Sequence, residues 1–290
     1  MLSADLPLVV AAGKALPPLI DGVFACEAAT RAGDPEAGVH EMRVATKRLR
    51  EAWRAWAPAF RGRRRAHGTL GGRIEALNDA LGAARDPDVM ANRLGRLAEE
   101  GAPLGAERVA EALKAERQRA FGELIVALDG FGDLRAALSA LVAKVASSPR
   151  EAPLGPVAFA AIRANAARVL ARWQAVRRRA SPDALHEARK ANKRLRYSLE
   201  LFVSFLPDDA ASALVATVAF HDALGTVHDA DELRVVLDTA VVGLPAAERA
   251  TWGPLLRRLD QRRHRGLVDA SNAADGLADV VWPALVDLGR

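Results

Sequence analysis

One eleven-residue stretch occurs twice in this chain, and any fold it adopts has to accommodate both copies. His40-Glu-Met-Arg-Val-Ala-Thr-Lys-Arg-Leu-Arg50 and His186-Glu-Ala-Arg-Lys-Ala-Asn-Lys-Arg-Leu-Arg196 agree at eight of eleven positions, 146 residues apart. Downstream, Asn78-Asp-Ala-Leu-Gly-Ala-Ala-Arg-Asp-Pro-Asp88 and His221-Asp-Ala-Leu-Gly-Thr-Val-His-Asp-Ala-Asp231 agree at six of eleven, at an offset of 143. Order and spacing are kept together, so the chain reads as a tandem duplication whose two copies fold alike. Its 290 residues suffice for one large or two ordinary domains. The expected halves are 1–148 and 149–290, with the Pro/Ser-rich 147–156 as the seam.

The helical signals repeat as well. Asp34-Pro35-Glu36 and Ser181-Pro182-Asp183 each offer an N-cap, a proline at the first helical position and an acid in the first turn. Each basic stretch therefore lies on a helix starting near 35 or 182. Only 5% of the residues are aromatic, while Ala, Leu and Arg abound, which favours helices over strands. The pattern predicts helices at about 5–32, 35–58, 64–100 and 104–128, then 155–179, 182–206, 209–240 and 246–273, with a shorter connector at 131–146. The expected fold class is all-α: two tandem antiparallel four-helix bundles related by a pseudo-twofold axis.

Charge follows the repeat. Residues 40–65 hold nine Lys/Arg against two acids, and so do residues 172–196, although the whole chain is only +5. The rest is net acidic. Just six of the 41 basic residues are Lys, and Arg presents the planar fork that grips phosphate oxygens bidentately. On a helix, His40, Arg43, Lys47, Arg50 and Arg54 fall on one stripe, beside an apolar stripe of Val39, Met42, Leu49, Trp53 and Trp56. His186, Arg189, Lys193 and Arg196 repeat the basic stripe, flanked by Lys190 and Arg194. A solvated helix face interleaves opposite charges at i,i+4. Arg43/Lys47 and Arg50/Arg54 are instead like-charged, with only Glu51 to dilute the stripe. A self-repelling row written twice points to an anion. Two such rows meeting in a groove or pore suit a linear polyanion better than one phosphate, for which a helix N-terminus suffices. Aromatic side chains are not interleaved with the cations, which argues against a base-stacking platform for nucleic acid.

The doubled His-x-x-Arg-x-x-x-Lys-Arg-Leu-Arg helix, each copy followed by Asp-Ala-Leu-Gly-x-x-x-Asp-x-Asp, resembles the CHAD family, the conserved histidine α-helical domain. The resemblance spans roughly 10–285. It implies paired four-helix bundles and a basic surface that binds inorganic polyphosphate, often at bacterial polyphosphate granules. By motif position it implies His40, Arg43, Lys47, Arg48 and Arg50, then His186, Arg189, Lys193, Arg194 and Arg196 as polyphosphate ligands. Arg54 and Lys190 join them from the stripe. Arg117, Arg119, Arg262 and Arg263, near the ends of the two halves, form a secondary set. Some CHAD chains are fused to a triphosphatase-type domain, which this chain has no room for, so the expectation is binding without catalysis and without cofactor.

A rival reading is metal-dependent phosphohydrolysis through His221-Asp222, His228-Asp229 and Glu36/His40. The first half places Asn78 and Arg85 where the second has His221 and His228, so a duplicated metal site is not written in the chain. The carboxylates Asp79, Asp86, Asp88, Asp222, Asp229 and Asp231 would then serve to orient the arginines. His67 and His264, in Arg-rich surroundings, read as further basic surface. Cys26, the single cysteine, excludes an internal disulfide framework and fits a reducing compartment. The longest stretch free of Asp, Glu, Lys and Arg runs only from Ala210 to His221, short of the roughly 20 apolar residues of a membrane span. The opening Met-Leu-Ser-Ala-Asp carries no basic leader. A cytoplasmic protein is expected.

Overall fold

The computed structural model describes residues 2–98, 101–148 and 152–277, together with 281, 282, 285 and 288. Among these there is no named strand. Helices α1 (Leu8–Ala25), α2 (Glu27–Arg31), α3 (Glu41–Ala55), α4 (Arg64–Ala98), α5 (Ala106–Asp129) and α6 (Leu134–Ala146) come first. Helices α7 (Leu154–Arg178), α8 (Pro182–Phe202), α9 (Asp208–Val242), α10 (Ala246–Arg249) and α11 (Gly253–Gly276) follow. The expected all-α class and its helix positions are met closely. The helix expected at 5–32 is split at Cys26, while α1 runs through Pro17 and Pro18 without a break. The expected end of the helix at 64–100, residues 99–100, and Pro149 lie outside the described residues.

The chain divides into two compact units that do not coincide with the contiguous halves 1–148 and 149–290. The first comprises Met1–Val89 and Leu113–Ala158, the second Met90–Ala112 and Phe159–Arg290. The boundaries fall inside α4, α5 and α7, so the segment 90–112 belongs by its contacts to the second unit.

In the first unit α1 packs against α3 and α6, burying Val9, Leu16, Ile20 and Val23 against Met42, Leu49, Leu138 and Val142. Leu8 N–H donates to Ala152 O at 2.9 Å and Leu154 N–H to Leu6 O at 2.9 Å, tying the N-terminus to the residues before α7. In the second unit α9 packs on α8 and α11, around Leu195, Leu199, Phe220, Leu233, Leu237 and Leu259.

One expectation needs correcting. The segment Leu8–Arg31 is long and apolar enough to cross a membrane by length and composition. The rule of unbroken apolar residues missed it because Lys14 and Asp21 interrupt the run. A core helix passes the same test, and α1 buries its apolar face within the first unit.

Candidate anion-binding helices

In the first unit the basic row begins with a π-helical turn, Pro35–His40, capped by Asp34 Oδ1, which accepts from Glu36 N–H at 2.9 Å and Ala37 N–H at 2.8 Å. Gly38 lies inside this turn, against α2. A Cβ there would sit 2.6 Å from Ala29 C and Thr30 N of α2, so only glycine lets the two backbones touch. From this turn α3 carries Arg43, Lys47, Arg48, Arg50 and Arg54 along its length.

The row is not self-repelling, which corrects the sequence expectation. Carboxylates of α4 cross to it. Arg43 pairs with Asp86 and reaches Gly82 O at 3.4 Å. Arg50 meets Glu75 at 3.2 Å and Glu51 at 3.0 Å. Arg54 meets Glu75 at 2.7 Å and Glu51 at 3.2 Å. Glu51 itself is buried. Arg48 is exposed, and His40 and Lys47 are half-buried. Arg85, buried, meets Glu36 at 2.8 Å and Asp88 at 3.5 Å, and Arg117 meets Asp88 at 2.8 Å. Arg119, exposed, pairs with Glu116.

In the second unit Ser181 Oγ accepts from Ala184 N–H at 3.2 Å and starts α8. Arg189 lies where Arg43 does in the motif. It faces Asp229, Glu232 and Arg93. Burial lowers its pKa, with the two carboxylates opposing and Arg93 adding repulsion. Arg93 bridges Asp229 at 2.6 Å and Glu232 at 3.3 Å. His228 Nε2 lies 3.0 Å from Glu232 Oε1, and this contact leads the causes that bring the Glu232 carboxyl down to about 2, helped by Arg93 and opposed by burial. The His186 ring centroid is 5.3 Å from that of His228. Desolvation, then repulsion from His228 and Lys190, lowers the His186 pKa. Lys190 meets Glu187 at 2.8 Å, Arg196 meets Glu200 at 2.7 Å, and Lys193 lies 5.8 Å from the Tyr197 ring centre. Arg194 and Arg262 are half-buried. Arg263 meets Asp231 at 2.5 Å.

Two regularities emerge. The motif carboxylates do orient arginines: Asp86 holds Arg43, Asp88 holds Arg117 and Asp231 holds Arg263. In both units the third residue after the motif histidine keeps a buried Nε with no hydrogen-bond partner among the described residues, Arg43 in one and Arg189 in the other. A buried unsatisfied donor in a charged side chain calls for an explanation, and an absent ligand is one.

Sequence reasoning missed Arg93, Glu75 and Glu232. Arg93 comes from a segment far from α8 and α9 in the chain, so no local spacing announces it. His67 is corrected too. Its ring stacks on Trp53 at 4.9 Å and 3°, its Nε2 lies 2.9 Å from Trp53 O, and burial lowers its pKa against that hydrogen bond. It is part of the packing. His264 is exposed. Among the described residues, no group of three or more His, Cys, Asp or Glu side chains is placed to hold a metal ion.

The helices and their carboxylate-held cations define an all-helical protein with two basic helix faces. The CHAD domain model matches residues 14–238, and the chain belongs to the CHAD family. Among solved structures it is similar to the CHAD domain from the plant Ricinus communis, with a TM-score of 0.68 and 22% identity over 98% of this chain and 92% of that one. It is also similar to PptA from Streptomyces chartreusis, with a TM-score of 0.69 and 18% identity over 93% of this chain and 99% of that one. At these identities the likeness is one of fold. No curated protein matches the chain.

Proposed function

We propose that this protein binds inorganic polyphosphate, without catalysis, through the cation rows of α3 and α8. The observation that carries the reading is the pair of matching arginines, Arg43 and Arg189, each with a buried Nε that no described residue satisfies. A phosphate oxygen supplies the missing acceptor once the side chain turns outward, where the guanidinium fork takes phosphate oxygens bidentately. His40, Lys47, Arg48, Arg50 and Arg54 extend the first row. His186, Lys190, Lys193, Arg194 and Arg196 extend the second. Arg117, Arg119, Arg262 and Arg263 serve as the secondary set. A polymer of evenly spaced charges engages many weak cations at once, and two rows on one chain raise the apparent affinity by linkage. The family resemblance extends the proposal to binding at polyphosphate granules in the cytoplasm.

The test is competition between long-chain polyphosphate and single-stranded DNA of equal phosphate content, with release of phosphate from polyphosphate and nucleoside triphosphates followed in parallel, with and without divalent metal. Polyphosphate is expected to win, with no turnover. DNA as the better ligand would make this a nucleic-acid-binding module. Turnover that survives repurification and is lost in His221→Ala would make it a phosphohydrolase.

A further inference from the structure

The first unit holds a groove that the polyphosphate reading does not use. It has a volume of about 760 Å³ and lies between the start of α4 and α6. Leu70 and Leu141 form its floor. Its walls are small: Ala66 and Thr69 on α4, Ala137 and Ala140 on α6. Ala137, Ala140, Leu141 and Lys144 recur at i, i+3, i+4 and i+7, so one face of α6 lines it, and 65/69 with 66/70 give one face of α4.

The rim is entirely cationic. Arg63, Arg64, Arg65 and Lys144 line the groove, and none of them makes an ion pair with a described residue. The chain from Ala52 to Ile74 contains six arginines and no Asp or Glu, and α6 contains no acid either. This contrasts with α3, where Arg43, Arg50 and Arg54 are answered by Glu51, Glu75 and Asp86. It is also unfavourable placement. α4 begins at Arg64 with no acid in its first turn, and the positive end of a helix disfavours cations. Charge that no described residue compensates calls for an anionic partner, and the apolar floor says that the partner is not anion alone.

We infer that this groove docks an acidic amphipathic α-helix of a partner protein. A shallow, open groove between two helices, walled by alanines, lets a third helix lie along it, with its apolar stripe on Leu70 and Leu141 and its carboxylates against Arg63, Arg64, Arg65 and Lys144. A bilayer favours the opposite shape, a protruding face with Trp, Phe or Leu to insert, and the lining offers no aromatic side chain.

The experiment is fluorescence anisotropy on the full chain with a labelled helical peptide bearing leucines at i, i+3, i+4 and i+7 and glutamates on its flanks. A peptide of the same composition with scrambled leucine spacing is the control. The ordered peptide is expected to bind and the scrambled one not. Ala140→Trp fills the groove at an exposed helix position without changing charge, and Arg64→Ala/Arg65→Ala strips the rim. Each should weaken the complex about tenfold or more, with circular dichroism unchanged. Polyphosphate affinity, measured on the same proteins, should be unaltered in Ala140→Trp, so failure of the polyphosphate reading and failure of this one give different results. Equal binding of the scrambled peptide, or undiminished peptide affinity in Ala140→Trp, overturns the proposal. So does binding of phosphatidylserine vesicles that Ala140→Trp abolishes when the peptide does not bind, which assigns the groove to a lipid surface.

Discussion

Arg189 sits where its charge is costly. It is desolvated, faces two carboxylates that Arg93 already bridges, and keeps its Nε without an acceptor. Arg43 shares the orphan Nε but has Asp86 for a partner. Retaining the charge while removing the fork isolates what the guanidinium adds: Arg43→Lys and Arg189→Lys keep +1 but lose Nε and bidentate geometry. Each is expected to lower polyphosphate affinity several-fold in isothermal titration, and affinities equal to wild type would show that charge alone binds. Truncation asks a different question. Arg43→Ala removes the link from α3 to Asp86 and Gly82, so a thermal melt should show a loss, up to about 1 kcal/mol given the exposure of Asp86. A gain would mean that repulsion along α3 outweighs the cross-helix pair. The motif arginines were legible in the sequence because a helix puts i, i+3 and i+4 on one face. Of their acids, Asp86 was legible as a carboxylate of the repeated motif, whereas Glu75 lies outside both motifs and meets α3 only through packing.

Among the elements, the join of α3 to α4 is a reciprocal clamp. Trp53 Nε1–H donates to His67 O at 3.1 Å, His67 Nε2 lies 2.9 Å from Trp53 O, and the rings stack with Phe60 tilted alongside at 4.7 Å. Because burial holds the folded His67 pKa below its ordinary value, the unfolded chain binds the proton more tightly. Stability is therefore flat above the ordinary imidazole pKa and falls as pH drops through it, from about pH 6.5 downward. His67→Phe keeps the stacking and should flatten that limb in melts taken across pH. An unchanged slope would place the acid sensitivity elsewhere. Gly38 governs the other end of α3. Gly38→Ala drives a methyl into the backbone of Ala29 and Thr30 and should cost about 1–3 kcal/mol in denaturant unfolding. Both N-caps with their prolines could be read directly from Asp34-Pro35 and Ser181-Pro182. The π turn could not, because it arises from contact with α2 rather than from a local preference.

At the scale of the molecule, the segregated charge should set how binding responds to salt. Neutralised phosphates release counterions, so affinity should fall log-linearly with salt, and removing one row by Arg189→Ala/Lys193→Ala should flatten the slope without abolishing binding. A slope identical to wild type, with folding intact, removes the α8 row from the mechanism. The basic motif occurs twice in the sequence, yet the compact units cut across the halves that its two occurrences suggest. The segment 90–112 supplies Arg93 to Asp229 and Glu232, and Leu104 O to Trp252 Nε1–H at 3.0 Å. A repeat in sequence marks ancestry, whereas a compact unit is set by contacts, and only three-dimensional packing reveals the second. Residues 149–290 alone should therefore stay largely unfolded by circular dichroism and gain structure when 1–148 is added. Independent folding of that fragment would show that 90–112 is dispensable to it.

The borrowed segment also sets an order for synthesis. Residues 90–112 emerge from the ribosome with the first half, but most of their partners, on α9 to α11, are the last to be made. At about 5–20 residues per second the wait is on the order of ten seconds or more. Through it Leu94 and Val109, buried in the finished protein, lack the later-made part of the unit they belong to. The nascent chain thus carries an apolar hairpin that a chaperone can hold and that closes only as translation ends.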